Sequence, residues 1–280
     1  MIIDAVEDKY SLHQLLKCLC MAKSSYYYQR AVMKQSDKYA EIRIRIKIIF
    51  QENRNCYGYR RIHGELKKIG ITVSEKIVRR IMKEEHLTVP TKRMKKYSSY
   101  KGEITPEVDN IINRDFHAEQ PNTKWLTDIT EFAIPAGKVY LSPVIDCFDG
   151  MVVKWNIGTT PDSILVNKML EDAIGTLLPS EHPLVHTDRG CHYRWTGWIE
   201  RMQAAGLTRS MSKKDVHRTM QLAKDFREIK ERNVLWALVV GVSMDDFINE
   251  INSYIEWYNT KRIKQSLGYM SPADTDIVLD

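Results

Sequence analysis

Trp125-Leu126-Thr127-Asp128-Ile129-Thr130 and, further on, Leu184-Val185-His186-Thr187-Asp188-Arg189-Gly190 decide the reading of this 280-residue chain. In each, a short apolar run leads into an aspartate, the pattern of a strand that carries a carboxylate to the end of a sheet. Fifty-nine residues separate Asp128 from Asp188, and a further 35 lead to position 224, where a third acid would complete a D-x59-D-x35-E triad. Position 224 holds lysine. Hard Mg2+ or Mn2+ ions are held by a few carboxylates together with water and substrate phosphates. Two such ions about 4 Å apart activate an attacking oxygen and stabilise a leaving one in displacement at phosphorus. An isolated aspartate more often serves a turn or a cap; the paired spacing and similar apolar approaches favour the metal reading for Asp128 and Asp188. Asp146 is read as support for a hairpin or for the site rim. His186 and His192 flank the second acid, as structural partners or as catalysts. Asp225 and Glu228 are the carboxylates that could substitute for a glutamate at 224.

Around these runs the periodicity is that of a mixed α/β fold. Residues 124–132, 138–147 and 152–157 read as three strands joined by turns at Pro135-Ala136-Gly137 and Asp149-Gly150. Pro161 then opens a helix through Leu177, residues 184–186 form a short buried strand, 193–205 a helix and 207–211 another strand. The order βββαβαβα puts the first strand in the middle of the sheet. The fourth can then approach it, so that Asp128, on the first strand, and Asp188, just after the fourth, converge at one sheet end.

The N-terminal half has a different character. Residues 1–35 read as short helices, with Leu12, Leu15, Leu16 and Leu19 at helical spacing and Ser24-Ser25 as a cap. Tyr26-Tyr27-Tyr28 point to different sides of a helix, so at least one belongs to a core; the others could stack on bases. Residues 40–51 form a basic amphipathic helix. Tyr57-Gly58-Tyr59-Arg60-Arg61 opens a second helix, which Gly70 breaks, and Val73-Ser74 caps a third carrying Ile77, Val78 and Ile81 inward and Lys76, Arg79, Arg80 and Lys83 outward, as a recognition helix requires. The chain's net +6 is unevenly spread: residues 42–101 hold 17 Lys/Arg against 5 acids, a local +12 that leaves about −6 elsewhere. Such a block is either a solvated helical face or a footprint for phosphate backbones, and the helix-turn-helix spacing favours the second. Arg60, Arg61, Lys67, Lys68, Lys76, Arg79, Arg80, Lys83, Lys92 and Arg93 are its candidate DNA contacts. With 43% apolar and 28% charged residues the chain has ordinary globular composition. No apolar run is long enough to span a membrane, and five scattered cysteines without metal spacing fit a reducing, cytoplasmic setting.

The motifs Tyr57-Gly58-Tyr59-Arg60-Arg61, Trp125 to Thr130, His186-Thr187-Asp188-Arg189-Gly190, Ser210-Met211-Ser212 and the tail Trp257-Tyr258-Asn259-Thr260-Lys261-Arg262-Ile263-Lys264-Gln265-Ser266-Leu267-Gly268-Tyr269-Met270-Ser271-Pro272 together resemble the second-frame product of insertion-sequence transposases with a retroviral-integrase-type core. The resemblance implies a ribonuclease-H-like mixed sheet flanked by helices, Mg2+-dependent DNA cleavage and strand transfer, binding to element ends and target DNA, and an upstream-frame helix-turn-helix partner or fusion in a bacterial, nucleoid-associated setting. A homo-oligomer on DNA is expected. Asp128 and Asp188 match the family's aspartates; Lys224 does not match its glutamate. Where the family reads Gly-x-x-x-Asp-Asn-Ala-x-x-Glu, this chain reads Asp215-Val216-His217-Arg218-Thr219-Met220-Gln221-Leu222-Ala223-Lys224. One reading register away, the Met220/Gln221 codon junction must encode alanine, while Ala223/Lys224 permits glutamate, which suggests a frameshift near 214 and a restored frame by about Val242. The expected organisation is a small helical module at 1–38, a basic helix-turn-helix region at 40–100, a linker at 101–120, the catalytic core at 121–241 and its C-terminal helix and tail at 242–280.

Overall fold

The computed structural model describes residues 10–34, 37–89, 108–113, 115–212 and 241–277. Its contacts divide the chain into two compact units, Met1–Thr91 and Lys92–Asp280. In the first unit, α1 (Leu12–Cys18) starts on a capping box, in which Gln14 N–H donates to Ser11 Oγ at 3.4 Å and Ser11 N–H donates to Gln14 Oε1 at 3.2 Å. Ser24 and Ser25 lie inside the first turn of α2 (Lys23–Lys34) rather than capping it. Tyr26 is the core tyrosine, buried against Leu16, while Tyr27 and Tyr28 are exposed.

Helices α3 (Ala40–Glu52), α4 (Tyr59–Lys68) and α5 (Glu75–Glu84) contact one another through the buried side chains of Ile46, Ile49, Phe50, Ile62, Leu66, Val78, Ile81 and Met82. Met82 takes the inward position expected of Ile77, which is only half-buried. The turn after α4 is a Schellman motif: Ile71 N–H donates to Leu66 O at 2.9 Å and Gly70 N–H to Lys67 O at 3.1 Å. Gly70 occupies its left-handed position at φ 79°, where a side chain would be strained. One of the arginines of α3 is a clamp: Arg43 lies 2.9 Å from Asp37, 2.9 Å from Glu84 and 3.0 Å from Glu85, tying α3 to the end of α5.

The second unit is built on a six-stranded mixed sheet of β1 (Lys124–Thr127), β2 (Thr130–Ile134), β3 (Gly137–Asp146), β4 (Val152–Gly158), β5 (Leu184–Thr187) and β6 (Thr208–Met211). As the element order predicted, β1 is central, antiparallel to β3 and parallel to β5, which in turn pairs in parallel with β6. The expected single strand over 124–132 is two. Thr127 faces Val144 and Thr130 faces Leu141, so β1 and β2 continue one register along β3, with only Asp128 and Ile129 outside the ladder.

The cause of the break is chemical. Cys147 N–H donates to Lys124 O at 2.9 Å, and since alternate residues of a strand address the same neighbour, Pro143 is the residue of β3 that turns its nitrogen toward Asp128. Proline has no N–H to give, so the ladder bond to the Asp128 carbonyl is missing.

Helices cover both faces of the sheet. Asn156 Nδ2 donates to Leu165 O of α6 (Ser163–Ile174), whereas the adjacent Trp155 Nε1 donates to Asn252 Oδ1 of α8 (Met244–Thr260) at 2.7 Å, so these helices lie on opposite sides of β4. On the α6 side, Trp125, Val144, Val185, Met169, Leu170 and Trp198 of α7 (Thr196–Ala204) form one buried cluster. Each such side chain removed from water contributes roughly 1.5–3 kcal/mol. Behind α8, the tail fastens onto the β3–β4 turn. Asn259 pairs with both Val152 N–H and Val152 O at 2.9 Å, and the buried Lys264 ammonium donates to Asp149 O at 2.8 Å and Gly150 O at 3.1 Å. The chain ends its described part with the short helix α9 (Pro272–Ile277).

Candidate metal centre and nucleic-acid interface

Asp128 follows the last residue of β1 and Asp188 the last residue of β5, and both are partly exposed. The parallel register matches Trp125 with Val185 and Leu126 with His186. The same register carried two residues further would set Asp128 opposite Asp188, with neighbouring strands ~4.8 Å apart. A third group reports on both. Tyr193, from the 3-10 turn Cys191–Arg194, is 1% exposed. Burial pushes its phenol pKa well up, and the negative charges of Asp128 and Asp188 push it further.

The Tyr193 hydroxyl lies close to Thr127 without hydrogen-bond geometry, and among the described residues neither buried hydroxyl has a partner. Asp188 is held by its own loop: Gly190 N–H donates to Oδ1 at 2.8 Å. The approach is so close that a Cβ on Gly190 would stand 2.8 Å from that same oxygen. Two carboxylates and unpartnered hydroxyls at one sheet end are a hard-oxygen donor set of the kind that suits Mg2+ or Mn2+. Among the described residues there is no third His, Cys, Asp or Glu to complete a cluster. Lys224, Asp225 and Glu228 lie outside the described residues, as does most of the 215–241 segment.

The neighbouring titratable groups make packing and hydrogen-bond contacts of their own. His186 is 3% exposed, its Nδ1 lies 2.9 Å from Ser210 Oγ and its ring meets the edge of Phe116; burial lowers its pKa, which favours the neutral imidazole. His192 stacks edge-on against Trp195 with ring centroids 4.6 Å apart. Asp146 supports the hairpin region, accepting from Asn122 N–H at 2.6 Å and Phe148 N–H at 2.8 Å. Pro143, Gly190 and Tyr193 shape the acid pair but were not singled out in the sequence. Pro143 left one signal, a proline inside an otherwise apolar strand.

In the other unit, Lys76, Arg79, Arg80 and Lys83 are all exposed and recur on α5 at the three- and four-residue spacing of a single face. Arg79 of α5 and Arg60 of α4 each lie 5.7 Å from the Tyr59 ring centroid, so one tyrosine links the arginines of both helices. Lys67 and Lys68 are exposed at the end of α4, and Arg61 is half-buried over Tyr57. Lys92 and Arg93 lie outside the described residues.

Models of an integrase core domain match residues 118–216 and 242–274, and an HTH-like domain model matches 37–95. Over 274 residues the chain is 50% identical to the probable transposase for insertion sequence element IS1353 of Shigella flexneri, covering 98% of this chain and 53% of that protein. It therefore spans about half of that relative. Over 279 residues it is 34% identical to the putative transposase InsK for insertion sequence element IS150 of Escherichia coli K12, covering 98% of this chain and 96% of that protein. The HTLV-2 integrase catalytic core domain, solved in complex with magnesium, gives a TM-score of 0.45 at 19% identity, covering 56% of this chain and 98% of that one. With a helical HTH-like region ahead of a ribonuclease-H-like sheet, and with a relative matched almost end to end, the chain belongs to the insertion-sequence transposases with an integrase core, a family of polynucleotidyl transferases.

Proposed function

We propose that this chain is shaped for DNA cleavage and strand transfer at the ends of an insertion element, that Asp128 and Asp188 are its metal-holding carboxylates, and that Lys224 impairs this copy. The observation that supports the reading is that each aspartate directly follows the last residue of one of two adjacent parallel strands, β1 and β5. Mg2+ or Mn2+ bound there supplies charge stabilisation for in-line displacement at phosphorus. The chain's own residues hold the donors in place. Gly190 N–H fixes one Asp188 oxygen, and the buried Tyr193 lies within electrostatic reach of both carboxylates. The stripe Lys76, Arg79, Arg80 and Lys83, with Arg60, Arg61, Lys67 and Lys68, supplies phosphate contacts, and Lys92 and Arg93 extend the same run in sequence.

An ammonium at position 224 would bring a fixed positive charge to a site that needs a cation ligand, and would compete with the metal. The integrase-core matches stop at 216 and resume at 242, bracketing the stretch whose family-like motif is available one register away, and this supports a frameshift between about 214 and 242. On this reading the copy keeps DNA-end binding and has lost catalysis, and it works in the bacterial cytoplasm. An upstream-frame partner or fusion, and an active form that is an oligomer on DNA, belong to the same reading, as the family resemblance implies. A rival in which Asp225 or Glu228 replaces the missing glutamate predicts activity that alanine at the recruited position abolishes.

The test compares three proteins on element-end DNA with Mg2+: the chain as it stands, Lys224→Glu, and a version with the frame restored across the whole segment. All three should bind the DNA. Only the third should transfer strands, because a ligand must be held within roughly 0.5 Å to function and one glutamate on a foreign segment is not. Transfer by the unaltered chain at the rate of the restored one would overturn the impairment.

A further inference from the structure

Helices α1 and α2 fall outside every matched domain, whose first begins at residue 37. Between Lys9 and Ser36 the sequence holds five Lys/Arg and neither Asp nor Glu. The same stretch carries half of the large apolar side chains exposed on the described surface: Tyr10 (58%), Leu19, Met21, Tyr27 (50%) and Tyr28 (67%). Of these, Met21 and Tyr27 line one groove together with Lys17 and Lys23. This groove, of about 400 Å3, is lined by the apolar Leu12, Leu16 and Met21 and by His13, Lys17, Lys23 and Tyr27.

We propose that this groove takes an unpaired nucleotide of the DNA substrate, the base lying against Tyr27 and the apolar lining side chains, the flanking phosphates against Lys17 and Lys23. The inference rests on the reading of the chain as a DNA transposase and adds a contact outside the helix-turn-helix. Size and chemistry select the ligand. A volume of about 400 Å3 is that of a small-molecule site. Lysines without any neighbouring carboxylate along the segment favour a polyanion. An aromatic face that is half exposed needs an open π surface, which bases within a duplex do not present and unpaired bases do. Tyr26, the remaining tyrosine of the run, is buried and holds α2 to α1, so the two roles divide along the helix.

The test uses the full chain and two fluorescent DNAs, a blunt duplex and the same duplex with a single-stranded tail of about ten nucleotides. The tail should tighten binding. Because stacking on an aromatic is worth about 5- to 150-fold per base, Tyr27→Ala should erase most of that gain, and Lys17→Glu with Lys23→Glu should do the same and lower its salt dependence. Tyr27→Ala should leave blunt-duplex affinity unchanged, with circular dichroism confirming intact helices. Loss of duplex binding on substituting Arg79 and Arg80 is read separately and bears on the helix-turn-helix, not on the groove. Equal affinity for the two DNAs, or a tail gain that survives Tyr27→Ala, overturns the proposal and leaves the groove to a protein segment.

Discussion

Gly190→Ala separates the fold from the site. Gly190 has φ −55° and ψ 144°, a conformation open to alanine, so backbone strain does not enter. The new Cβ would nevertheless stand 2.8 Å from Asp188 Oδ1. Ordinary carbon–oxygen contacts begin near 3.3 Å, so the carboxylate must retreat by roughly 0.5 Å. A flexible side-chain end yields cheaply, and the expected change in stability is within about 1 kcal/mol. For ligand geometry, the same ~0.5 Å is the tolerance itself, and losing the support of a metal ligand typically costs 10- to 100-fold in affinity, so a drop of about tenfold or more in Mn2+ binding is expected. Titration of the full chain with Mn2+, followed by paramagnetic resonance, measures this directly, with Asp188→Ala as the reference for complete loss. Parental affinity in Gly190→Ala, set against clear loss in Asp188→Ala, would show that the Gly190 contact does not position the ligand. Parental affinity in both would remove Asp188 from the site.

On the proposed DNA-binding face, substituting both Arg79 and Arg80 with alanine should lower the slope of log affinity against log salt by about 1.8, since each phosphate contact contributes about 0.9; an unchanged slope would mean that neither arginine touches phosphate. In the core, Asn259→Ala removes both partners of Val152 at a buried position. At about 1–3 kcal/mol for each group left unpaired, the loss is about 3 kcal/mol, which corresponds to a fall in melting temperature of roughly 6–12 °C for a unit of this size. A fall below about 2 °C in calorimetry would contradict the clamp, because it would imply that the strand end keeps its pairing some other way.

Much of this architecture is legible because it repeats. Alternation along 138–147, the helical spacing of Leu165, Met169, Leu170 and Ala173, and a glycine where α4 must stop are local signals, and the structure follows them. The two aspartates stand out in the sequence for another reason: two similar apolar approaches end on the same residue type, and the structure puts each just past the end of one of two adjacent strands. What escaped is what depends on register. Nothing local in Trp125 to Phe132 marks a break after Thr127; the break belongs to Pro143, which lies opposite only once β3 has folded back. Arg43 reads as a solvated cation until α5 brings Glu84 and Glu85 to it. The tail from Trp257 carries a recognisable motif, yet that Asn259 and Lys264 secure the β3–β4 turn follows only from contacts more than a hundred residues apart in sequence.

The irregularities of the sheet gather near the acid pair. Pro143 sits in the central ladder, the β3–β4 register shifts between Val144 and Ile145, and the buried hydroxyls of Thr127, Ser142 and Tyr193 have no partner among the described residues. Each unmade bond costs about 1–3 kcal/mol, and a sheet selected for stability alone would not place several around two carboxylates. Local rules broken together at one place are the mark of a site rather than of a poor fold. That cost is still present in this chain, in strands that do not depend on position 224 for their pairing. Under the proposed reading, the defect is therefore confined to the ligand that the 215–241 stretch should deliver, while the scaffold for the first two ligands remains formed. That is why restoring the frame of that stretch, with no change to the sheet, is the repair expected to return strand transfer.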